Sequence, residues 1–178
     1  MTATDTIIAH TRKWILDVVI GCNFCPFAAK EIKNNTVQYK VVPKDSRLIL
    51  TALAESFLQM HQDEKVETIL LILPQGFPTF DGYLDILQLG EELLLKEKMT
   101  GIYQLASFHP LYRFEGSLED DAANYTNRSP YPIIQILRES SITSVLEKFH
   151  GDIPKRNITY AEKLGLLHMQ VLLNSCII

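Results

Sequence analysis

Three short strand-like segments separated by helical patterns constrain the fold of this chain more than any other feature. The segments span residues 36–42, 67–73 and 102–108, and they are β-branched and alternating or continuously apolar. The stretches between them repeat apolar residues at helical spacing. Strands that are separated by a whole helix pair in parallel through right-handed crossovers. The sequence therefore predicts an α/β fold with a small three-stranded parallel sheet.

Further helical patterns precede the first strand and follow the third. If the strands add in one direction, both crossover helices cover one face of the sheet, and the first and last helices cover the other. We therefore expect helices on both faces. The chain forms a single domain over residues 1–178 in this interpretation, since that length can bury a core of its own.

A long segment without helical or strand periodicity follows the third predicted strand. It begins at Phe108 and has an acidic, asparagine-rich middle among aromatic residues and prolines. Such long segments in compact domains are binding loops or are disordered, and the aromatic content predicts an ordered irregular loop. The Ser129-Pro130 pair predicts the start of a helix that continues to Phe149, because proline is tolerated in a first turn.

The composition excludes several classes of function. The formal net charge is −4 and the pI is near 5.7 without a basic stripe, which argues against nucleic acid and anionic membranes as partners. No apolar run is long enough to span a bilayer, and three cysteines without a disulfide-type spacing predict a cytoplasmic protein. Only eight glycines occur and none cluster, so we predict no nucleotide cofactor. The runs of leucine are interpreted as core or as a dimer face, which leaves a homo-oligomer open.

Three fragments resemble one family. They are WILDVVIGCNFCPFA at 14–28, FHPLYRFE at 108–115 and NYTNRSPYPIIQILRE at 124–139. Together they resemble the bacterial domain-of-unknown-function family 1415, over nearly the whole chain. The family brings no established activity, so the resemblance implies a grouping and not a function. It also implies that the positions of Cys25, His109 and 127–130 matter, while Cys22 and Gln135 depart from the family pattern, which tends to have histidine in place of Gln135.

Cys25 is the first candidate for chemistry. With Cys22 it forms a Cys-x-x-Cys pair, which we expect to follow a helix C-terminus, where the dipole opposes a thiolate. A buried, unreactive thiol is the favoured interpretation. A nucleophile paired with His109 is the next alternative, and redox chemistry or zinc binding would need features that the sequence lacks. We predict no metal site.

His109 and three arginines are the remaining candidates. His109 ends the third strand, where it is either a structural residue or an acid–base group. Arg113, Arg128 and Arg138 suit a small anion, with Asn127 beside them, because the guanidinium fork matches carboxylate and phosphate. Their alternative partners are carboxylates of the chain itself, which are Glu115, Asp120, Asp121 and Glu139.

The predicted site lies at the carboxyl edge of the sheet, where open α/β sheets place their ligands. Three functions follow from it. The first is an enzyme that uses His109 and Cys25 on a small anionic or polar molecule. The second is a binding module with the same pocket and no chemistry. The third is a protein-interaction module that uses the aromatic and arginine-rich loop at 108–139.

Overall fold

Four strands form one mixed sheet in the computed structural model, which describes residues 2–147 and 151–177. In chain order they are β1 (Val37–Val41), β2 (Thr68–Ile72), β3 (Tyr103–Phe108) and β4 (Ile133–Arg138). Their spatial order is β1-β2-β4-β3. β1 and β2 are parallel, whereas β4 is antiparallel to both β2 and β3. The α/β class and the three predicted strands are confirmed, but the prediction of a three-stranded, wholly parallel sheet is wrong.

β4 replaces the helix that was predicted to begin at Ser129-Pro130. Ile133, Ile134 and Ile136 are fully buried, because a central strand has a core on each of its faces. The two prolines precede the strand, where their missing N–H groups interrupt no ladder, and Pro132 instead accepts a hydrogen bond from Leu73 N–H at 2.9 Å. Helix formation begins only at Glu139, and Phe149 lies outside the described residues.

Helices surround the sheet. They are α1 (Ala3–Trp14), a π-helix (Ile15–Ile20), α2 (Ala28–Asn34), α3 (Ser46–Gln62), α4 (Phe80–Lys96), a 3₁₀ helix (Ala122–Thr126), α5 (Glu139–Leu146), α6 (Ile153–Leu164) and α7 (Leu166–Asn174). Side-chain caps begin α3 at Asp45 and α4 at Thr79. Across residues 2–147 and 151–177, no helix has the length and apolar character needed to cross a membrane.

Two hydrophobic layers hold the sheet between these helices. On one face, Leu53 of α3 and Tyr83 of α4 pack with Ile69 and Ile136. On the other face, the helix formed by α1 and the π-helix contributes Trp14 and Val18, which pack with Leu70, Ile72 and Ile133. Both crossover helices therefore cover the same face, as predicted, and the second face is left to the terminal helices.

Candidate functional site

His109 lies directly after β3 and joins two loops. Its side chain is 1% exposed. Nε2 lies 2.9 Å from the Phe77 carbonyl oxygen, and Leu111 N–H donates to Nδ1 at 3.0 Å. A ring that donates at Nε2 and accepts at Nδ1 is neutral, and burial lowers the pKa of His109, which keeps it so. Both ring nitrogens are therefore bonded to backbone groups. This arrangement is the one expected if His109 is a structural residue and not an acid–base group.

Stability should fall in mild acid because of His109. The unfolded chain protonates histidine near pH 6.5, whereas the folded state resists protonation. The contribution of His109 to the free energy of unfolding is therefore full above that pH and is lost as the pH drops towards the lowered folded-state pKa. Urea denaturation at pH 7 and pH 5.5 should show a loss of up to about 1 kcal/mol from this residue.

The matched variants are His109→Gln and His61→Gln. The first removes the titrating group, and the second changes an exposed histidine on α3. We expect His61→Gln to show the same acid-induced decrease in the free energy of unfolding as the parent protein. In His109→Gln most of that decrease should be absent. An identical loss in His109→Gln and in the parent protein would contradict this account.

Arg128 holds the long loop together. It is 7% exposed, its Nε donates to the Tyr112 carbonyl at 3.1 Å, and its Nη2 donates to the Glu119 carbonyl at 2.7 Å. The guanidinium also lies 4.6 Å from the centre of the Tyr125 ring. The partners of Arg128 are thus backbone carbonyls rather than carboxylates. Arg113 is exposed on the same loop.

Arg138 does not lie near these residues, so the predicted cluster of His109 and three arginines is wrong. In the register of β3 and β4, Arg138 pairs with Tyr103, which is about 17 Å along the strand from Phe108. Its guanidinium donates to three backbone carbonyls, that of Met60 in the last turn of α3 and those of Asp63 (3.1 Å) and Val66 (3.0 Å) after the helix. The error follows from β4, whose antiparallel course carries Arg138 to the opposite edge of the sheet.

A cavity of about 280 Å³ lies elsewhere, between the second face of the sheet and the helices above it. One row of its floor crosses three strands in register, from Leu70 through Gln135 to Ala106. Its roof consists of Ile15 and Val19 of the π-helix, the turn at 24–27 and α2. Among the predicted site residues, the cavity lining includes Cys25, Asn127 and Arg138 and lacks His109, Arg113 and Arg128.

The floor of the cavity carries a fixed amide. Thr68 Oγ1 donates its only proton to the Ile136 carbonyl at 2.7 Å, so towards Gln135 it can only accept. It accepts from Gln135 Nε2 at 2.9 Å. This chain of bonds fixes which end of the amide is nitrogen, and Gln135 Oε1 accepts no hydrogen bond from any residue that the structure describes.

Cys25 lies in the roof, between the π-helix and α2. The sequence did not predict α2, so only the dipole at the C-terminus of the preceding helix entered the expectation for Cys25, and the N-terminus of α2 did not. The N–H groups of Phe27 and Ala28 face the thiol and favour a thiolate, but burial has the larger effect and raises the pKa of Cys25. Cys22 and Cys25 are free thiols, and burial raises the pKa of Cys22 as well. The thiol in the cavity is therefore protonated near neutral pH.

The π-helix gives the roof its shape. Gly21 N–H reaches Leu16 O at 3.0 Å and Phe24 N–H reaches Val19 O at 2.8 Å, five residues back in each case. A Cβ atom at Gly21 would lie 2.1 Å from Asp17 O, so only glycine fits this turn. Short π-helical segments are frequent at functional sites.

Polar side chains connect this roof to the rest of the molecule. Trp14 Nε1 donates to Arg128 O at 3.0 Å, and Asn157 Nδ2 donates to Phe24 O at 2.6 Å. Asn127 Nδ2 reaches Ser107 O on β3 at 3.3 Å. The fragment at 14–28 is therefore bonded to the fragment at 124–139 and to α6, and the fragment at 124–139 is bonded to β3.

Sequence reasoning missed the polar floor residues. The signal for them is a polar side chain on the buried face of an apolar strand, namely Gln135 within Ile133–Leu137 and Thr68 before Ile69. A buried polar group needs a partner, and such a position therefore marks either a structural network or a ligand site.

The geometry defines a small α/β protein with a cavity between a mixed sheet and a π-helical roof. A family model described as "Protein of unknown function (DUF1415)" matches residues 6–171, and the chain belongs to this family, as its sequence fragments predict. No curated protein and no solved structure matches the chain significantly.

Proposed function

We propose that this protein binds a small molecule in the cavity between its sheet and the π-helix. The observation that carries the proposal is a concave, mainly apolar space with a few fixed polar groups, which is the usual character of small-ligand sites. Its volume of about 280 Å³ is close to the lower end of the roughly 300–1,000 Å³ that such sites occupy.

The side chains support binding rather than catalysis. A protonated thiol is a weak nucleophile, and burial raises the pKa of Cys25. His109 is not in the lining and is held at both ring nitrogens. The proposal is therefore a binding module, the second of the three functions that the sequence left open, with the cavity on the face of the sheet instead of its edge.

Chemical-shift mapping with 2-phenylethanol, a small probe with an apolar body and one hydroxyl, tests this proposal. We expect ¹H–¹⁵N shifts to concentrate at the cavity, at Gln135, Ala106 and the π-helix. Ala106→Phe should abolish them, because Ala106 pairs with Gln135 and the larger ring enters the cavity on the same face.

Thr51→Phe is the matched control, since it adds the same ring to an exposed position of α3 on the opposite side of the sheet. It should leave the shifts unchanged. Shifts that are scattered over the surface, or that persist in Ala106→Phe, would refute the proposed site.

A protein-contact surface on the long loop is a second candidate, favoured by two exposed leucines. Leu111 is 45% exposed and Leu118 is 74% exposed, on the same loop as the exposed Arg113. The first partner to test is a second copy of the chain. Sedimentation velocity over a hundredfold concentration range should then show self-association that Leu118→Ser weakens. A monomer at every concentration would refute self-association through this surface.

A further inference from the structure

We propose that the ligand of this cavity is a small apolar molecule that carries a protonated amine. The inference rests on the proposed binding function and adds the chemical class of the ligand. It comes from the acceptors and charges that the lining presents.

Gln135 supplies the first acceptor. Its Nε2 is committed to Thr68, whose own proton is committed to Ile136 O. Gln135 Oε1 is consequently the end of the amide that is left to accept from a ligand, and it needs an N–H or O–H donor. This acceptor stands in the middle of the floor, in register with Leu70 and Ala106.

Glu67 supplies the second acceptor and a negative charge. It lines the cavity next to Thr68, at the end where β2 begins, and its Oε2 accepts a hydrogen bond from Ser141 Oγ at 2.7 Å. Within the described residues, Glu67 has no cationic partner. Glu31, the other carboxylate of the lining, is paired with Lys30 at 3.3 Å.

No cationic head group in the described lining forms an ion pair with Glu67. Arg138 is the only lysine or arginine among those lining residues, and its guanidinium is bound to carbonyls of the loop after α3. A carboxylate or phosphate ligand would therefore be repelled by Glu67, and the guanidinium of Arg138 is already bonded to backbone carbonyls. An ammonium group brings three donors and the opposite charge, while the apolar roof of Ile15 and Val19 suits a hydrocarbon body.

Three probes that share a phenyl body test the inference in the intact protein at pH 7. They are 2-phenylethylamine, 2-phenylethanol and 3-phenylpropanoate, titrated by NMR with shifts followed at Gln135 and Ala106. We expect the amine to bind about tenfold or more tighter than the alcohol, because a hydrogen bond to a charged group is worth more than one between neutral groups. The carboxylate should bind weakest.

Glu67→Gln keeps the shape of the side chain and removes its charge. It should lower the affinity for the amine about tenfold and leave the affinity for the alcohol unchanged. Glu64→Gln, which changes an exposed carboxylate three residues earlier, should alter neither.

The outcomes separate the two proposals. Equal affinities for amine and alcohol, or an amine affinity that does not respond to Glu67→Gln, would overturn the amine and leave the cavity as a binding site. Preference for the carboxylate would overturn the charge argument in the same way. Failure of all three probes to shift the cavity residues would overturn both the amine and the proposed function.

Discussion

Arg128→Ala should lower the free energy of unfolding by about 2–4 kcal/mol, because two charged hydrogen bonds and a cation–π contact are lost together. The guanidinium is buried, and the carbonyls of Tyr112 and Glu119 would lose their charged donor. The Tyr125 ring would lose its cation as well. Chemical denaturation of parent and variant at pH 7 measures this difference.

Arg113→Ala is the control for that experiment. It removes the same charge from an exposed position of the same loop, so it should change stability by no more than about 0.5 kcal/mol. Phosphate or sulfate should not raise the melting temperature of the parent protein. A small effect of Arg128→Ala together with anion-dependent stabilisation of the parent protein would restore the anion site that the sequence suggested.

Arg138→Ala should have an effect of similar size, about 2–4 kcal/mol, at the opposite edge of the sheet. One guanidinium bonds the carbonyls of Met60, Asp63 and Val66 and lies 5.6 Å from the centre of the Tyr103 ring. It therefore fastens the turn between α3 and β2 to the last residue of β4. Hydrogen exchange in residues 60–66 should accelerate in the variant.

Two further variants show whether the stability lost in Arg138→Ala comes from the charge or from the shape of the guanidinium. Arg138→Lys should recover only part of the lost stability, because an ammonium cannot reproduce the planar fork that reaches several carbonyls. Arg47→Ala, an exposed arginine on α3, should have little effect on stability. Full recovery by lysine would mean that charge alone matters at position 138.

The sequence predicted elements better than their arrangement. β1, β2 and β3 were found within a residue of their ends, because alternation and β-branching are local signals. β4 was missed, since Ser129-Pro130 resembles a helix start and Ile133–Leu137 is apolar except for Gln135, a pattern that strands and buried helices share. That single error made the sheet parallel and placed Arg138 at the wrong edge.

The candidate site was predicted only in part for a related reason. Cys25 and Asn127 were singled out by type and motif, and both line the cavity. His109 and Arg128 were also singled out, but apart from the nearby Leu111 amide their partners are backbone carbonyls of Phe77, Tyr112 and Glu119, which only the fold brings near. The orientation of the Gln135 amide depends on its hydrogen bond to Thr68, which lies 67 positions away in the sequence.

A crystal structure of the protein soaked with 2-phenylethanol tests the central claim most directly. We expect density for the probe on the row formed by Leu70, Gln135 and Ala106, with its hydroxyl within hydrogen-bond distance of Gln135 Oε1 and its ring beneath the π-helix. A cavity that stays empty at saturating probe, or one that side chains of the roof have filled, would contradict it.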